Sequence, residues 1–339
     1  MTNTLVYLRF IKPLLKPGMI MLQAIGSVIF LTNSYSSDFT TCSSHEVSNI
    51  QTGFEDLLTL TPSFNVNHTL LEGTINTNQC IDSIQNVSHL GKLHIQYHNG
   101  LQSDRLARII EDPKDTSNRV LQFWLKKPST YKKNKQLQKG RVQMNLYDNV
   151  DVKHTIISVR MYLHPDISII QSFPKSINWL TISEWWNNAG WTDENYPFRI
   201  SLNLVKEQKK SSAPLVFKVH AQTFNAKKRH WDKKVWESIN RSFVVPVDRW
   251  LTLLFEVVEG DANNGRFIFS VANQNGKRTT IFDIYNYTHH PSDPMPDGFS
   301  HINPIKLYTS GELIDYVREK GGTVQIFWDD LQISVYSND

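Results

Sequence analysis

Four stretches of this chain put arginine, histidine, tyrosine or side-chain amides on alternate residues. They are Arg141/Gln143/Asn145, Arg160/Tyr162, Arg199/Asn203 and Lys218/His220/Gln222. No carboxylate stands among them, whereas an ordinary solvated strand face favours Lys, Glu and Thr. Laid side by side, such faces pave a surface with hydrogen-bond donors that suits a neutral or anionic ligand. They also contain the parts of a β-elimination next to a carboxylate. That chemistry needs a base to remove a proton, an acid to protonate the leaving oxygen, and donors that neutralise the enolate-like charge. His220 and Tyr162 are the expected base and acid, with Tyr308 the alternative in the second role. Arg141, Gln143, Arg160 and Arg199 are the expected neutralising donors.

Hydrolysis of a glycosidic bond instead needs two carboxylates, about 5–5.5 Å apart for retention and wider for inversion. Glu184 and Glu256 each lie in a strand-like run. Glu184 shares parity with Leu180 and Ile182, and Glu256 with Leu254, so both point toward the apolar side unless a bulge intervenes. Simple binding needs less. Between Trp179 and Asn203 the chain carries four tryptophans, Trp179, Trp185, Trp186 and Trp191. Aromatic faces can pack on the C–H face of a sugar ring while polar neighbours bond its hydroxyls, although the same composition also serves a core. Trp185, Asn187, Asn188, Trp191, Arg199 and Asn203 are the expected sugar contacts, with Lys218, Gln222 and Lys306 from other strands. Parity puts Trp185 and Asn187 on the ligand side, and Glu184 and Trp186 on the core side with Ile182. Asn187-Asn188 before Ala189-Gly190 also reads as a strand-end turn.

The elements that must position these residues are strands. Val142, Met144 and Leu146 alternate with polar neighbours. So do Ile157, Val159, Met161 and Leu163; Phe198, Ile200, Leu202 and Leu204; and Leu215, Phe217, Val219 and Ala221. Further strand-like runs are Lys92–His98, Val120–Leu125, Trp250–Val258, Arg266–Ala272 and Thr323–Val335. Helical signal is sparse. Ser310–Lys320 has Leu313, Ile314 and Val317 on one side and ends at Gly321-Gly322. Lys233–Arg241 reads as one short helical turn. Many two-faced strands with few short helices indicate an all-β, two-sheet antiparallel jelly-roll sandwich whose apolar faces meet in the core. No repeat or linker divides the chain, so residues 53–339 are expected to form one domain, with a flexible lead-in over residues 37–52.

Charge and targeting narrow the function classes. The net charge is +4, but residues 1–36 hold Arg9, Lys12 and Lys16 and no acid, leaving 33 bases against 32 acids beyond them. That balance argues against a nucleic-acid partner. A basic segment, the apolar run Met19–Leu31 and Ser34-Tyr35-Ser36 read as a cleavable signal, with an uncleaved membrane anchor the competing reading. The expected location is therefore secreted, periplasmic or cell-surface. Cys42 and Cys80, the two cysteines present, can form one disulfide in such a compartment or remain separate thiols. The basic runs Lys126–Arg141 and Lys227–Lys234 read as solvated loops that can also rim a groove for an anionic glycan. His289-His290 before Pro291 reads as a loop rather than a metal site.

Several segments together resemble the concanavalin A-like jelly-roll superfamily, and within it the secreted polysaccharide-processing proteins of glycan-degrading bacteria. They are Gly53-Phe54-Glu55, Lys139–Leu146, Thr181–Trp191, Asn264–Phe269, Ile305–Ser310 and Phe327–Val335, and the resemblance spans residues 53–336. It implies two antiparallel sheets with a carbohydrate groove on one of them. The strand Arg141–Leu146 is similar to the Arg-rich strand of the alginate and heparin lyases of this superfamily, and Lys306-Leu307-Tyr308 to their Lys/Tyr strand. Where those enzymes carry Gln-x-His, this chain has Ser183-Glu184-Trp185. The E-x-D-x-x-E element of laminarinase-like hydrolases is absent. Many sugar-binding sandwiches tie their first and last strands with Ca²⁺, which implies Glu55, Asp329 and Asp330 as ligands of a structural calcium. No cofactor for chemistry is implied. The expected function is engagement of a polysaccharide, with β-elimination of a uronate-containing chain favoured. Non-catalytic carbohydrate binding and hydrolysis through Glu184/Glu256 are the alternatives.

Overall fold

The computed structural model describes residues 47–336 except 56–57, 63–67, 78–79, 84–89, 92, 98–103, 129–137, 190–194, 210–211 and 226–229. For 47–49, 58–62, 68–77, 80–83, 230 and 232–233 only the backbone is described. The expected signal segment 1–36, Cys42 and Trp191 lie outside the described residues. The described residues belong to one compact unit.

In chain order the strands are β1 (Val47–Thr52), β2 (Leu58–Pro62), β3 (His68–Thr77), β4 (Cys80–Ser83), β5 (Leu93–Tyr97), β6 (Arg105–Glu111), β7 (Arg119–Leu125), β8 (Lys139–Tyr147), β9 (His154–Leu163), β10 (Thr181–Asn187), β11 (Phe198–Val205), β12 (Val216–Asn225), β13 (His230–Val244), β14 (Trp250–Val258), β15 (Arg266–Ala272), β16 (Arg278–Tyr285), β17 (His301–Asn303), β18 (Lys306–Ser310) and β19 (Val324–Tyr336). The helices are α1 (Ser168–Gln171) and α2 (Gly311–Glu319).

Every pairing is antiparallel, and the strands form two sheets. One sheet, which carries the groove, runs β2-β3-β5-β8-(β17, β18)-β10-β11-β12-β13. The back sheet runs β6-β7-β19-β9-β14-β15-β16, with β1 beside the far half of β19. Their apolar faces meet as a jelly-roll sandwich. Val142, Met144, Leu146, Ile200, Leu202, Phe217 and Val219 come from the groove sheet, and Ile157, Val159, Leu253, Phe255, Phe267 and Phe269 from the back sheet; all are buried in one cluster. Each such side chain contributes about 1.5–3 kcal/mol by leaving water.

Ser310 caps α2, its hydroxyl accepting a bond from the Leu313 N–H at 3.3 Å, and Leu313, Ile314 and Val317 are buried as their spacing requires. Gly140 in β8 makes room for this helix, since a Cβ there would stand 2.5 Å from Ile314 Cδ1.

Two expectations fail. Residues 47–52 of the expected lead-in form β1 and pair with Leu331–Tyr336 of β19. Lys233–Arg241 is no helical turn but part of β13, zipped to β12 through three register shifts. Those shifts erase the period-two pattern, so local spacing misreads a strand held by long-range hydrogen bonds. Among the described residues no helix is long and apolar enough to cross a membrane.

Candidate functional site

A recess of about 610 Å³ opens on the outer face of the groove sheet. Lys139 and Arg141 of β8 form one wall, with Lys306 and Tyr308 of β18 beside them. Glu184 and Trp186 of β10 form the floor, followed by Arg199, Ser201 and Asn203 of β11, His220 and Gln222 of β12, and Trp231 of β13. Asn178, Trp179 and Thr181 close one end. Among the described residues the lining carries four cations, Lys139, Arg141, Arg199 and Lys306, and one carboxylate, Glu184.

A β-bulge decides which residues of β10 reach this recess. The register shifts between Thr181 and Ser183, so Glu184 pairs with Ser201 and Trp186 with Arg199. One extra residue reverses every side chain beyond it. The parity expectation is therefore overturned. Trp185 is fully buried, packed tilted against Phe255 and edge-on to Phe267, with its indole N–H donating to Thr155 Oγ1 at 3.2 Å. Asn187 is likewise turned inward and bonds Glu259 Oε1 and the Gly298 carbonyl. Asn188, at φ 50°, follows the strand in a left-handed turn conformation.

Glu184 is 2% exposed and fully engaged. Its Oε1 accepts from Ser201 Oγ at 2.8 Å and lies 3.6 Å from Arg199 Nη1, while Lys306 Nζ donates to its Oε2. Burial alone pushes its carboxyl upward, but Lys306, Arg199 and Ser201 outweigh this and hold it below the usual range. Lys306 is brought down to about 8 by burial, with Glu184 opposing the fall and Arg141 and Arg199 adding to it. Arg199 lies 4.4 Å from the Trp231 ring and 5.4 Å from that of Trp186, and donates to Gln222 Oε1 at 2.9 Å. Lys306, Arg141 and Lys139 stand 5.3, 5.8 and 5.8 Å from the Tyr308 ring, which also packs on Trp179 at 4.8 Å.

His220 is depressed to about 4, by burial first and then by Arg199 and Lys218. It is therefore neutral near pH 7. Its Nε2 faces Gln222 Oε1 at 3.1 Å and its Nδ1 faces Asn203 Nδ2 at 3.4 Å. With the amides so oriented, Nε2 carries the proton and both nitrogens are occupied within the sheet. Asn203 also accepts from Thr181 Oγ1 at 2.8 Å. Lys218 shares the face of His220 but is paired with Glu237 at 2.7 Å. Gln143 lies beside the recess in a buried amide network with Gln96, Asn145 and Tyr147. Asn303 links that network to Lys306 and to the Trp186 indole, both at 3.3 Å.

The remaining expectations land elsewhere. Tyr162 and Arg160 belong to β9 of the back sheet, so neither reaches the recess. Tyr162 is buried against Trp250 and Phe327, and its hydroxyl donates to Asp248. Arg160 lies 4.6 Å from the Trp250 ring and pairs with Asp329 and Asp330. Glu256 is also on the back sheet, 3.3 Å from His154, so Glu184 and Glu256 cannot flank one glycosidic bond. For calcium, Asp329 Oδ2 already accepts from Arg160 and Asn118, both at 3.0 Å, and its Oδ1 from the Asp330 N–H at 2.8 Å. A guanidinium occupies the place a cation would take. Among the described residues no group of three His, Cys, Asp or Glu side chains could hold a metal ion, so Glu55, Asp329 and Asp330 do not fit a calcium centre.

The sequence reading missed Trp186, Ser201, Trp231 and the recess side of Glu184. Only a bulge signal between Thr181 and Ser183 could have found Glu184 and Trp186, and none is visible in those residue types.

Glu259, just beyond β14, anchors the end of β10 to the loop before β17 through Asn187 and the Gly298 N–H. Burial pushes its carboxyl up to about 7 from 4.5, with Asp297 and Asp293 adding to the shift. The protonated form is therefore favoured by folding, so this group's contribution to stability falls as pH rises from about 4.5 to about 7. Glu259→Gln should raise stability by about 2 kcal/mol at pH 8 and by little at pH 4.5. Urea unfolding of both proteins across this range checks it, and an equal difference at both ends would refute the assignment.

No protein-family model matches the chain, and no curated protein matches it. Among solved structures it is similar to the marine PL-14 alginate lyase from Aplysia kurodai, at 14% identity over 70% of this chain and 89% of that one, with a TM-score of 0.41. It is similar to the endo-beta-1,4-glucuronan lyase of the fungus Trichoderma reesei, at 9% identity over 71% and 90%, with a TM-score of 0.40. It is also similar to the exoplasmic/lumenal domain of VIP36 in its Ca²⁺/Man3GlcNAc-bound form, at 10% identity over 73% and 85%, with a TM-score of 0.35. Scores this low carry no functional weight, and the assignment rests on the chain's own residues. By strand order and sheet packing the chain is a two-sheet antiparallel jelly-roll sandwich.

Proposed function

We propose that the recess of the groove sheet binds a uronate-containing polysaccharide and cleaves it by β-elimination. The observation that carries this reading is the charge of the lining, four cations against one carboxylate that is already neutralised by two of them. An anionic sugar chain meets that imbalance, and Trp179, Trp186, Trp231 and Tyr308 supply ring faces for its apolar side. Hydrolysis is disfavoured because, among the described residues, the recess holds a single carboxylate, and it is ion-paired.

Within this reading Arg199, Lys306 and Arg141 hold the uronate carboxylate, and Tyr308 transfers the proton. His220 and Tyr308 lie on strands three steps apart, about 14 Å in the hydrogen-bonding direction, which is too far for a base and acid on one bond. His220 also has both nitrogens engaged by Gln222 and Asn203. Tyr308 can do both tasks when the proton and the leaving oxygen lie on the same side of the ring. The C5–H and C4–O4 bonds break, the C4=C5 double bond forms, and the proton passes through the phenol oxygen to the leaving oxygen. His220 then serves as a fixed polar contact.

The test is incubation with alginate, polyglucuronate, ulvan and heparin-like chains while following absorbance of the unsaturated product. Product from at least one polymer is the expected result. Binding without product would leave a carbohydrate-binding protein that uses the same recess. Silence in both assays would sink the reading. The basic-then-apolar composition of residues 1–36 supports a reading in which the chain is exported and meets such polymers outside the cell.

A further inference from the structure

Glu184 poses a question that the elimination chemistry leaves unanswered. It is buried and held ionised by Lys306, Arg199 and Ser201, so it has no proton to give and is a poor base. Yet the bulge in β10 turns it into the middle of the recess, and side chains of both flanking strands meet at its two oxygens. From β18, Lys306 Nζ donates to Oε2. From β11, Ser201 Oγ donates to Oε1 at 2.8 Å, with Arg199 Nη1 at 3.6 Å. Without this carboxylate, Lys306, Arg199 and Arg141 would face one another in a recess closed by tryptophans, with nothing between them. Like charges so placed repel, and a lysine discharges more readily than an arginine.

We infer that Glu184 is a positioning residue that keeps Lys306 charged and aims Lys306 and Arg199 as a preset pair of donors for one substrate carboxylate. The inference rests on the functional reading above. Each cation keeps donors free of Glu184. Lys306 has three N–H bonds, with Glu184 and Asn303 Oδ1 as two partners. The Arg199 guanidinium is fixed on its other side by Gln222 and by the Trp231 ring. The groups that face Lys306 are Glu184 on β10, Arg199 on β11, Arg141 on β8 and Tyr308 on its own strand. Glu184 is the one anion among the described residues lining the recess, so its loss releases the fall in proton affinity that burial and the two arginines impose.

The probe is a polyglucuronate oligosaccharide of defined length, titrated by calorimetry from about pH 6 to about pH 9. Wild-type affinity should fall about tenfold as pH passes through about 8, where Lys306 discharges. Glu184→Gln should bind about tenfold more weakly at pH 7, and its fall should come at least about one pH unit lower. Its affinity should recover at acid pH, as a merely damaged fold would not. Glu184→Asp should keep most of the wild-type profile. Lys306→Met should bind weakly without a pH step, and adding Glu184→Gln to it should change affinity less than about threefold. If a variant fails to fold, the wild-type profile alone still decides, because affinity that stays flat through pH 8 overturns the inference. Glu184→Gln matching wild type at every pH also overturns it, with sugar binding intact. Wild-type protein that binds neither this probe nor any of the four polymers overturns the functional reading and this inference with it.

Discussion

Tyr308→Phe should lower the rate of unsaturated-product formation about a thousandfold while leaving affinity for the polysaccharide within about threefold. The substitution removes one oxygen. The ring keeps its contact with Trp179 at 4.8 Å and its neighbours Lys306, Arg141 and Lys139. Binding, which uses the cations and the ring faces, is then nearly unchanged, and the proton has no carrier. A thousandfold corresponds to about 4 kcal/mol at the transition state, within the range of general acid–base contributions. His220→Asn is the control. It keeps a polar group beside Asn203 and Gln222 and should slow turnover by only about tenfold, since His220 positions rather than transfers. Rate and affinity measured for both variants check the assignment. If His220→Asn abolishes turnover and Tyr308→Phe does not, the roles are reversed.

Trp185→Ala should destabilise the fold by about 3–5 kcal/mol, lowering the midpoint of thermal unfolding by roughly 10 °C. Trp186→Ala, one residue on, should cost less, about 2 kcal/mol, and also weaken sugar binding about tenfold. The difference follows from the bulge at Thr181/Ser183. Trp185 fills the space between the sheets, ring to ring with Phe255 and Phe267, and bonds Thr155 across the core. Its removal leaves a cavity that rigid strands on both sides cannot close. Trp186 lies in the recess at 5.2 Å from Trp231 and 5.4 Å from Arg199. Its loss opens the floor of the recess rather than a cavity between the sheets. Calorimetric unfolding with oligosaccharide titration separates the two, and a larger stability loss for Trp186→Ala would place the parity of β10 the other way round.

Much of the fold was legible in the residues because alternation is a local property. Val142/Met144/Leu146, Ile157/Val159/Met161 and Phe217/Val219/Ala221 bury one face of each strand wherever that strand finally pairs. The same alternation put Arg141, Arg199, Asn203, His220 and Gln222 on polar faces, the family resemblance pointed to Lys306 and Tyr308, and all seven line the recess. Ser310 and the apolar spacing behind it marked α2 for the same reason, since a cap and one helical face lie within a few residues of sequence.

Other features needed the tertiary structure. Arg160 and Tyr162 have the polar alternation of a groove strand, yet β9 is an interior strand of the back sheet between β14 and β19. A polar strand face states only that it is outward. Which of the two outward faces it joins is set by hydrogen bonds to strands about ninety and one hundred and seventy residues away. β13 lost its period to three register shifts, and with it the evidence that Trp231 would cap Arg199. The single extra residue at Thr181/Ser183 reversed Glu184, Trp185, Trp186 and Asn187 together. By itself the sequence determined the strand periodicity, the sandwich class and the donor-rich character of the outward faces. Only the packed sheets decided that Glu184 stands inside the recess between two cations, because the sign of strand parity beyond a bulge depends on pairing with distant strands and not on the residues it reverses.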